Sequence, residues 1–189
     1  MPFGVLAVQG DFREHLKALQ RLGLEGAAVR TPQEVAQVQG LILPGGESTT
    51  IGKLMARYGL LESIRELVAS GRPLFGTCAG MILMAKQIGA AAEDQPALGV
   101  MDIAVERNAF GRQLDSFEAN IEVKGVGGGP VRAVFIRAPI ITGLSDGVEV
   151  LASHEGRVVA ARQNNMLVLS FHPELTEDGR LHRYFVQMA

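Results

Sequence analysis

The sequence predicts an α/β fold, a three-layer sandwich around a mostly parallel central sheet, with some antiparallel strands in the second half. Two observations predict it. In the first half, short apolar runs alternate with segments whose apolar residues recur at helical spacing, as strand–helix–strand units do. In the second half, inside–outside alternation and a hairpin signal replace that pattern. The 189 residues are expected to form one domain, 1–189, with no internal repeat and no linker long enough to divide it.

Phe3 to Val8 reads as a buried strand, and Gln9-Gly10 turns the chain. Asp11 and Glu14 have the spacing of a capping box for a helix carrying Phe12, Leu16 and Leu19. Ala27 to Val29 is a short strand. Thr31-Pro32-Gln33-Glu34 supplies an N-cap, a proline at the first helical position and an acid at the third. Leu41 to Leu43 is a strand ending at Pro44-Gly45-Gly46, followed by helices over roughly Thr49–Tyr58 and Leu61–Ser70. Pro73 to Phe75 is the next strand, and a helix is expected from Ala79 to Ile88.

Farther on, Phe117 to Val123 alternates like a half-exposed strand, and Gly125 to Gly129 reads as a surface loop. Val131 to Ile136 is a strand. Val148–Ser153 and Arg157–Arg162 flank a hairpin turn at His154-Glu155-Gly156. Met166 to Phe171 is a buried strand ending at His172, and Thr176 is placed to cap a last helix toward Met188.

Composition narrows the function classes. A hydrophobic fraction of 47% with 20% charged residues is that of a globular protein in water. A formal net charge of −2 gives no bulk attraction for nucleic acid or an anionic membrane, so neither is an expected partner. The apolar runs fall far short of the roughly 20 residues of a membrane span, and no signal peptide is expected at Met1-Pro2-Phe3. One cysteine permits no intrachain disulfide and no thiolate metal cage. The expected location is the cytoplasm.

Three clusters carry chemistry. Gly76-Thr77-Cys78-Ala79-Gly80 lies between an apolar strand and an apolar helix, the setting of a nucleophile elbow. Glycines two residues to either side relieve the crowding of such a turn, which lifts the sulfur out at the carboxyl end of the sheet. The helix N-terminus that follows favours a thiolate, and the Ala79 N–H faces a developing oxyanion. A lone cysteine is more often an inert buried residue; the elbow reverses that expectation. In Phe171-His172-Pro173-Glu174, the histidine follows a buried strand and Glu174 can fix its tautomer, giving a Cys78–His172–Glu174 triad. His15, His154 and His182 are expected to be surface or packing residues. A metal at His172 and Glu174 is not expected, since no third ligand stands at a suggestive spacing.

Pro44-Gly45-Gly46-Glu47-Ser48-Thr49 is the third cluster. Its glycines let backbone N–H groups approach a substrate or an oxyanion. A phosphate loop is the rival reading, and it fails on spacing. Five residues separate Gly46 from Gly52 where four are required, Leu54 replaces the needed hydroxyl residue, and Glu47 would repel phosphate. A plain structural turn remains the other alternative.

With these clusters in order, the chain resembles the class I, triad-type glutamine amidotransferases, whose sheet is flavodoxin-like. Further segments resemble the glutaminase subunits of pyridoxal 5′-phosphate synthase: Leu6 to Gly10, Leu43 to Thr50, Val105 to Gln113, Phe135 to Pro139 and Ser170 to Thr176. The resemblance covers nearly the whole chain. It implies that Cys78, His172 and Glu174 hydrolyse L-glutamine without a cofactor or metal. Glutamine would be bound by Gly46, Glu47, Ser48, Arg107, Ile136 and Arg137, with Gly46 and Ala79 forming the oxyanion hole. It further implies that ammonia passes to a synthase subunit, that glutaminase subunits surround a synthase ring, and that activity depends on docking. Gln9, beside the first turn, is expected near the oxyanion hole. The alternatives are a glutaminase of another pathway such as histidine biosynthesis, a non-catalytic binding module on the same fold, and a thiol-based stress protein.

Overall fold

In the computed structural model of the chain, residues 1–89, 95–107, 109–110 and 116–189 are described. The strands are short and fully apolar where they lie between two layers, which is what burial on both faces requires. β1 (Phe3–Leu6), β2 (Gly26–Val29), β3 (Leu41–Leu43), β4 (Leu74–Thr77) and β12 (Met166–Leu169) run parallel in the order β2-β1-β3-β4-β12. The sheet then continues through β11 (Arg157–Gln163), β9 (Ile140–Leu144), β6 (Met101–Glu106) and β5 (Ala85–Gly89). Here β12, β11, β9 and β6 meet antiparallel, while β5 lies parallel to β6. β10 (Glu149–His154) pairs with β11 as the expected hairpin, with Glu155 and Gly156 both at positive φ in its turn. β7 (Ser116–Ile121) and β8 (Val131–Ile136) form a separate antiparallel pair.

Alternate residues of the parallel strands feed two cores. Leu6, Leu41, Leu43, Leu74 and Val168 pack under α2 (Pro32–Ala36), α3 (Ser48–Arg57), α4 (Leu60–Ala69) and α5 (Ala79–Met84). Val5, Ile42, Phe75, Leu167 and Leu169 face the other way, toward α1 (Phe12–Arg21), α6 (Arg180–Val186) and the β7–β8 pair. The period of two along each strand thus produces the three layers. Thr31 caps α2 as expected: its side chain accepts from the Glu34 N–H at 3.3 Å, and the Glu34 carboxylate accepts from the Thr31 N–H at 3.0 Å.

Three local expectations are corrected. Asp11 stands at the N-cap of α1 but its side chain caps nothing; its N–H donates to the Gly45 carbonyl at 3.0 Å, and its carboxylate turns toward His172. The helix expected to reach Ile88 ends at Met84, because Ala85 is extended and starts β5 against Met101. Ladder pairing with a distant segment overrides a helix-compatible composition there. Thr176 does not cap α6, which begins after Gly179. Its hydroxyl instead donates to the Pro173 carbonyl at 3.0 Å and accepts from the Asp178 N–H at 3.2 Å, closing the single 3₁₀ turn Pro173–Leu175. No helix among the described residues is long and apolar enough to cross a membrane.

Candidate active site

The site gathers at the carboxyl ends of the parallel strands, where an open α/β sheet binds its ligands. Gln9 and Asp11 follow β1, Gly46 follows β3, Cys78 follows β4 and His172 follows β12. Each strand exits beside its neighbour, so residues more than 160 positions apart converge on one cavity of about 440 Å³. That is a size suited to a small molecule.

Cys78 holds φ 49° and ψ −105°, a backbone conformation that a non-glycine residue rarely adopts. The elbow is fixed from both sides. The Cys78 N–H donates to the Leu169 carbonyl at 2.9 Å, and its carbonyl accepts from the Ile82 N–H at 3.2 Å. The flanking glycines are required by contact: a Cβ on Gly80 would lie 2.2 Å from the Leu43 carbonyl oxygen, and one on Gly76 would lie 2.6 Å from the Met84 sulfur. The sulfur is thereby presented to the cavity beside His172, with its S–H directed to the Ile136 carbonyl at 3.8 Å.

His172 is held by its N–H donating to the Val134 carbonyl at 2.8 Å and by its Nδ1, 2.6 Å from Glu174 Oε1. Glu174 is buried and accepts at Oε1, so Nδ1 carries a hydrogen and Nε2 is the nitrogen left for the cavity side. Burial by itself lowers the proton affinity of this imidazole. Hydrogen bonding to Cys78 and Glu174, with the charge of Glu174, outweighs it and pushes the pKa up to about 10. Burial pushes the Glu174 carboxyl up, against the bond from His172. Gly45 lets the ring come this close, because a Cβ there would stand 2.4 Å from His172 Cε1.

On the opposite wall, Glu47 caps α3, accepting from the N–H groups of Thr49 at 3.0 Å and Thr50 at 2.8 Å and from the Thr50 hydroxyl at 2.6 Å. The Thr50 hydroxyl is the main reason its carboxyl sits below the usual range. Arg107 Nη2 lies 3.8 Å from Glu47, and Arg107 Nη1 donates to Gln95 Oε1 at 3.0 Å. Arg137 follows the β8 strand with φ 42°, which places the Ile136–Arg137 backbone against the cavity. Gln9 Oε1 accepts from the Glu47 N–H at 3.1 Å, so Gln9 sits against the Gly46 loop.

Gly46, Glu47, Ser48, Cys78, Ala79, Arg107, Ile136, Arg137 and His172 therefore all line one cavity, with Glu174 behind His172. Of the Val105–Gln113 segment, Asn108 and residues 111–113 lie outside the described residues.

Asp11 and Ile82 also line the cavity, and the sequence singled out neither as a site residue. Asp11 Oδ2 lies 3.8 Å from His172 Nδ1, and ligand atoms of Asp11, His172 and Glu174 come within 4.8 Å of one another. The fold thus supplies the third ligand that sequence spacing did not. Nδ1 is already engaged by Glu174, and an ion there would have to displace that bond. The signal for Asp11 was its place just past a β1 turn on the ligand-binding edge.

A family model described as the SNO glutamine amidotransferase family matches residues 5–189. The chain belongs to the SNO glutamine amidotransferase family. It is 57% identical to the pyridoxal 5′-phosphate synthase subunit PdxT of Carboxydothermus hydrogenoformans over 99% of this chain and 97% of that protein. It is 56% identical to the PdxT of Roseiflexus castenholzii over the full length of both. A crystal structure of a glutamine amidotransferase superposes with a TM-score of 0.95 at 54% identity, covering 100% of this chain and 98% of that one. The structure of PurLQS from Thermotoga maritima, at 18% identity and a TM-score of 0.69 over 98% of each chain, shares the fold.

Proposed function

We propose that this protein hydrolyses L-glutamine to L-glutamate and ammonia and passes the ammonia to a synthase subunit that builds pyridoxal 5′-phosphate. The observation that carries this reading is the strained Cys78 elbow facing the His172–Glu174 pair across a cavity that also contains the Gly46 loop and Arg107. The family membership and the PdxT relatives support the substrate and the pathway.

In this mechanism the Cys78 sulfur attacks the side-chain carboxamide carbon as a thiolate, its proton already held by His172 in a thiolate–imidazolium pair or passed to it as the bond forms. Glu174 stabilises the imidazolium so formed. Backbone N–H groups at Gly46 and Ala79 bind the oxyanion. The C–N bond breaks as His172 returns the proton to the leaving nitrogen, releasing ammonia and leaving a γ-glutamyl thioester. His172 then takes a proton from water, which adds to the thioester and releases glutamate and the thiol. Arg107, Arg137 and Ile136, with Glu47 and Ser48, hold the amino-acid end of the substrate. Ammonia in bulk water is protonated and diluted, so a docked acceptor is part of the proposal, with residues 1–189 acting as one glutaminase domain. A cytoplasmic setting suits a mechanism that needs a reduced cysteine.

The test uses the protein with its synthase partner. Ammonia release from glutamine is expected in the complex and lost by at least a hundredfold in Cys78→Ala, while added ammonia still supports pyridoxal phosphate synthesis by the variant complex. Full glutamine-dependent synthesis by Cys78→Ala would sink the reading.

A further inference from the structure

Behind the proposed triad lies a pair of histidines that the mechanism above does not use. His15, from α1, and His182, from α6, are both fully buried. Their rings meet with His15 Nδ1 2.9 Å from His182 Nε2. The other nitrogen of His15, Nε2, lies 3.2 Å from Thr77 Oγ1 and 3.5 Å from Glu174 Oε2. Thr77 immediately precedes the Cys78 elbow. Glu174 Oε2 is the oxygen not taken by His172; it is buried, and no fully formed hydrogen bond reaches it among the described residues. A buried carboxylate oxygen without a donor is costly, and His15 Nε2, 3.5 Å away, is a nitrogen near enough to serve it.

The hydrogens on this chain can be assigned by elimination. One hydrogen lies between His15 Nδ1 and His182 Nε2. If His15 donated it, the Nε2 lone pair of a neutral His15 could accept from the Thr77 hydroxyl, but it would leave Glu174 Oε2 without a donor and face that carboxylate. His182 would then carry its own hydrogen on Nδ1, a buried atom with no partner. Both consequences are unfavourable, and an orphaned buried donor is the rarer defect in folded proteins. If His182 donates instead, His15 carries its hydrogen on Nε2, shared between Thr77 and Glu174, and the unpartnered atom is only a bare acceptor. Burial holds both rings below the ordinary histidine pKa, His182 at about 4, so both are neutral where the enzyme works.

We propose that His15 is a positioning residue for amide hydrolysis: its Nε2–H holds the outer oxygen of Glu174, and His182 fixes the tautomer that makes this donation possible. The inference rests on the glutaminase reading above. Its chemical content is that Glu174 is gripped from two sides, by His172 in front and His15 behind, so the inner oxygen stays aligned on the catalytic imidazole.

Two measurements test it. Nitrogen-15 shifts of the wild-type protein near neutral pH should show His15 hydrogen-bearing at Nε2 and bare at Nδ1; the opposite tautomer overturns the proposal without any variant. In the synthase complex, His15→Leu should lower kcat for glutamine about tenfold with KM changed less than about twofold, since His15 does not line the cavity. His15→Gln, which returns an N–H near the Nε2 position, should recover kcat to within about threefold. A purely packing role predicts that Leu is tolerated at least as well as Gln, and that result overturns the proposal. If His15→Leu does not fold, the pair His182→Leu and His182→Gln gives the same contrast one residue farther away. Wild-type complex that releases no ammonia would fail the glutaminase reading; active wild type with equal Leu and Gln variants would fail only the inference.

Discussion

His172 and the His15–His182 pair sit on opposite sides of one carboxylate, and the comparison separates burial from charge. His172 is 3% exposed and His15 and His182 are 0% exposed, so desolvation acts on all three. Yet His172 is raised to about 10 while His15 and His182 are lowered. The difference is what each nitrogen meets. His172 Nδ1 has a charged oxygen at 2.6 Å and the Cys78 sulfur on its far side. His15 meets a second imidazole, a hydroxyl and, only at 3.5 Å, the other carboxylate oxygen. Burial favours the neutral ring; a close counter-charge reverses it. One glutamate thus supports a protonatable base in front and a neutral scaffold behind.

Removing the shared charge should break this contrast most strongly. Glu174→Gln keeps the shape of the side chain but takes away the anion. The His172 pKa is expected to fall from about 10, because burial is then opposed by the Cys78 sulfur alone. Glutamine turnover in the complex should drop by about a hundredfold or more. A histidine titration followed by proton NMR, with ammonia release in parallel, checks both. Retention of the high pKa would mean that Glu174 is not its source.

A smaller effect sharpens the other side. His15 and His182 bind protons less readily folded than unfolded, so the unfolded state takes up protons first as pH falls. The stability linked to these two rings is therefore full above about 6.5 and is lost as pH falls toward about 4. His172 has the opposite sign: its contribution is full below about 6.5 and lost as pH rises toward about 10. Denaturant melts of the wild type should show stability declining on both flanks. His182→Leu should make the decline between about 6.5 and about 4 shallower, His15 supplying the remainder, and leave the alkaline flank unchanged. An unchanged acid flank would place the proton uptake elsewhere.

Front and back also differ in how far the sequence revealed them. The elbow was legible because its determinants are local: Gly76 and Gly80 flank Cys78 within five residues, and His172 follows an apolar strand directly. The back pair was not legible. His15 and His182 are 167 residues apart and meet only because α1 and α6 cover the same face of the sheet. The same limit explains the fold corrections. Ala85–Gly89 has nothing local against a helix and becomes a strand by pairing with Met101–Glu106. β9 was not foreseen because its pairing with β6 and β11 is non-local. Asp11 had the spacing of a cap, yet its N–H is drawn to the Gly45 carbonyl and its carboxylate to the site.

The most direct test of the central claim is covalent. The synthase complex would be incubated with a glutamine analogue carrying an electrophilic carbon in place of the side-chain amide, then digested and read by mass spectrometry. The account predicts one adduct, on the Cys78 sulfur, formed in step with loss of ammonia release and prevented by excess glutamine. Loss of activity with Cys78 unmodified, or an adduct on another residue, would contradict it.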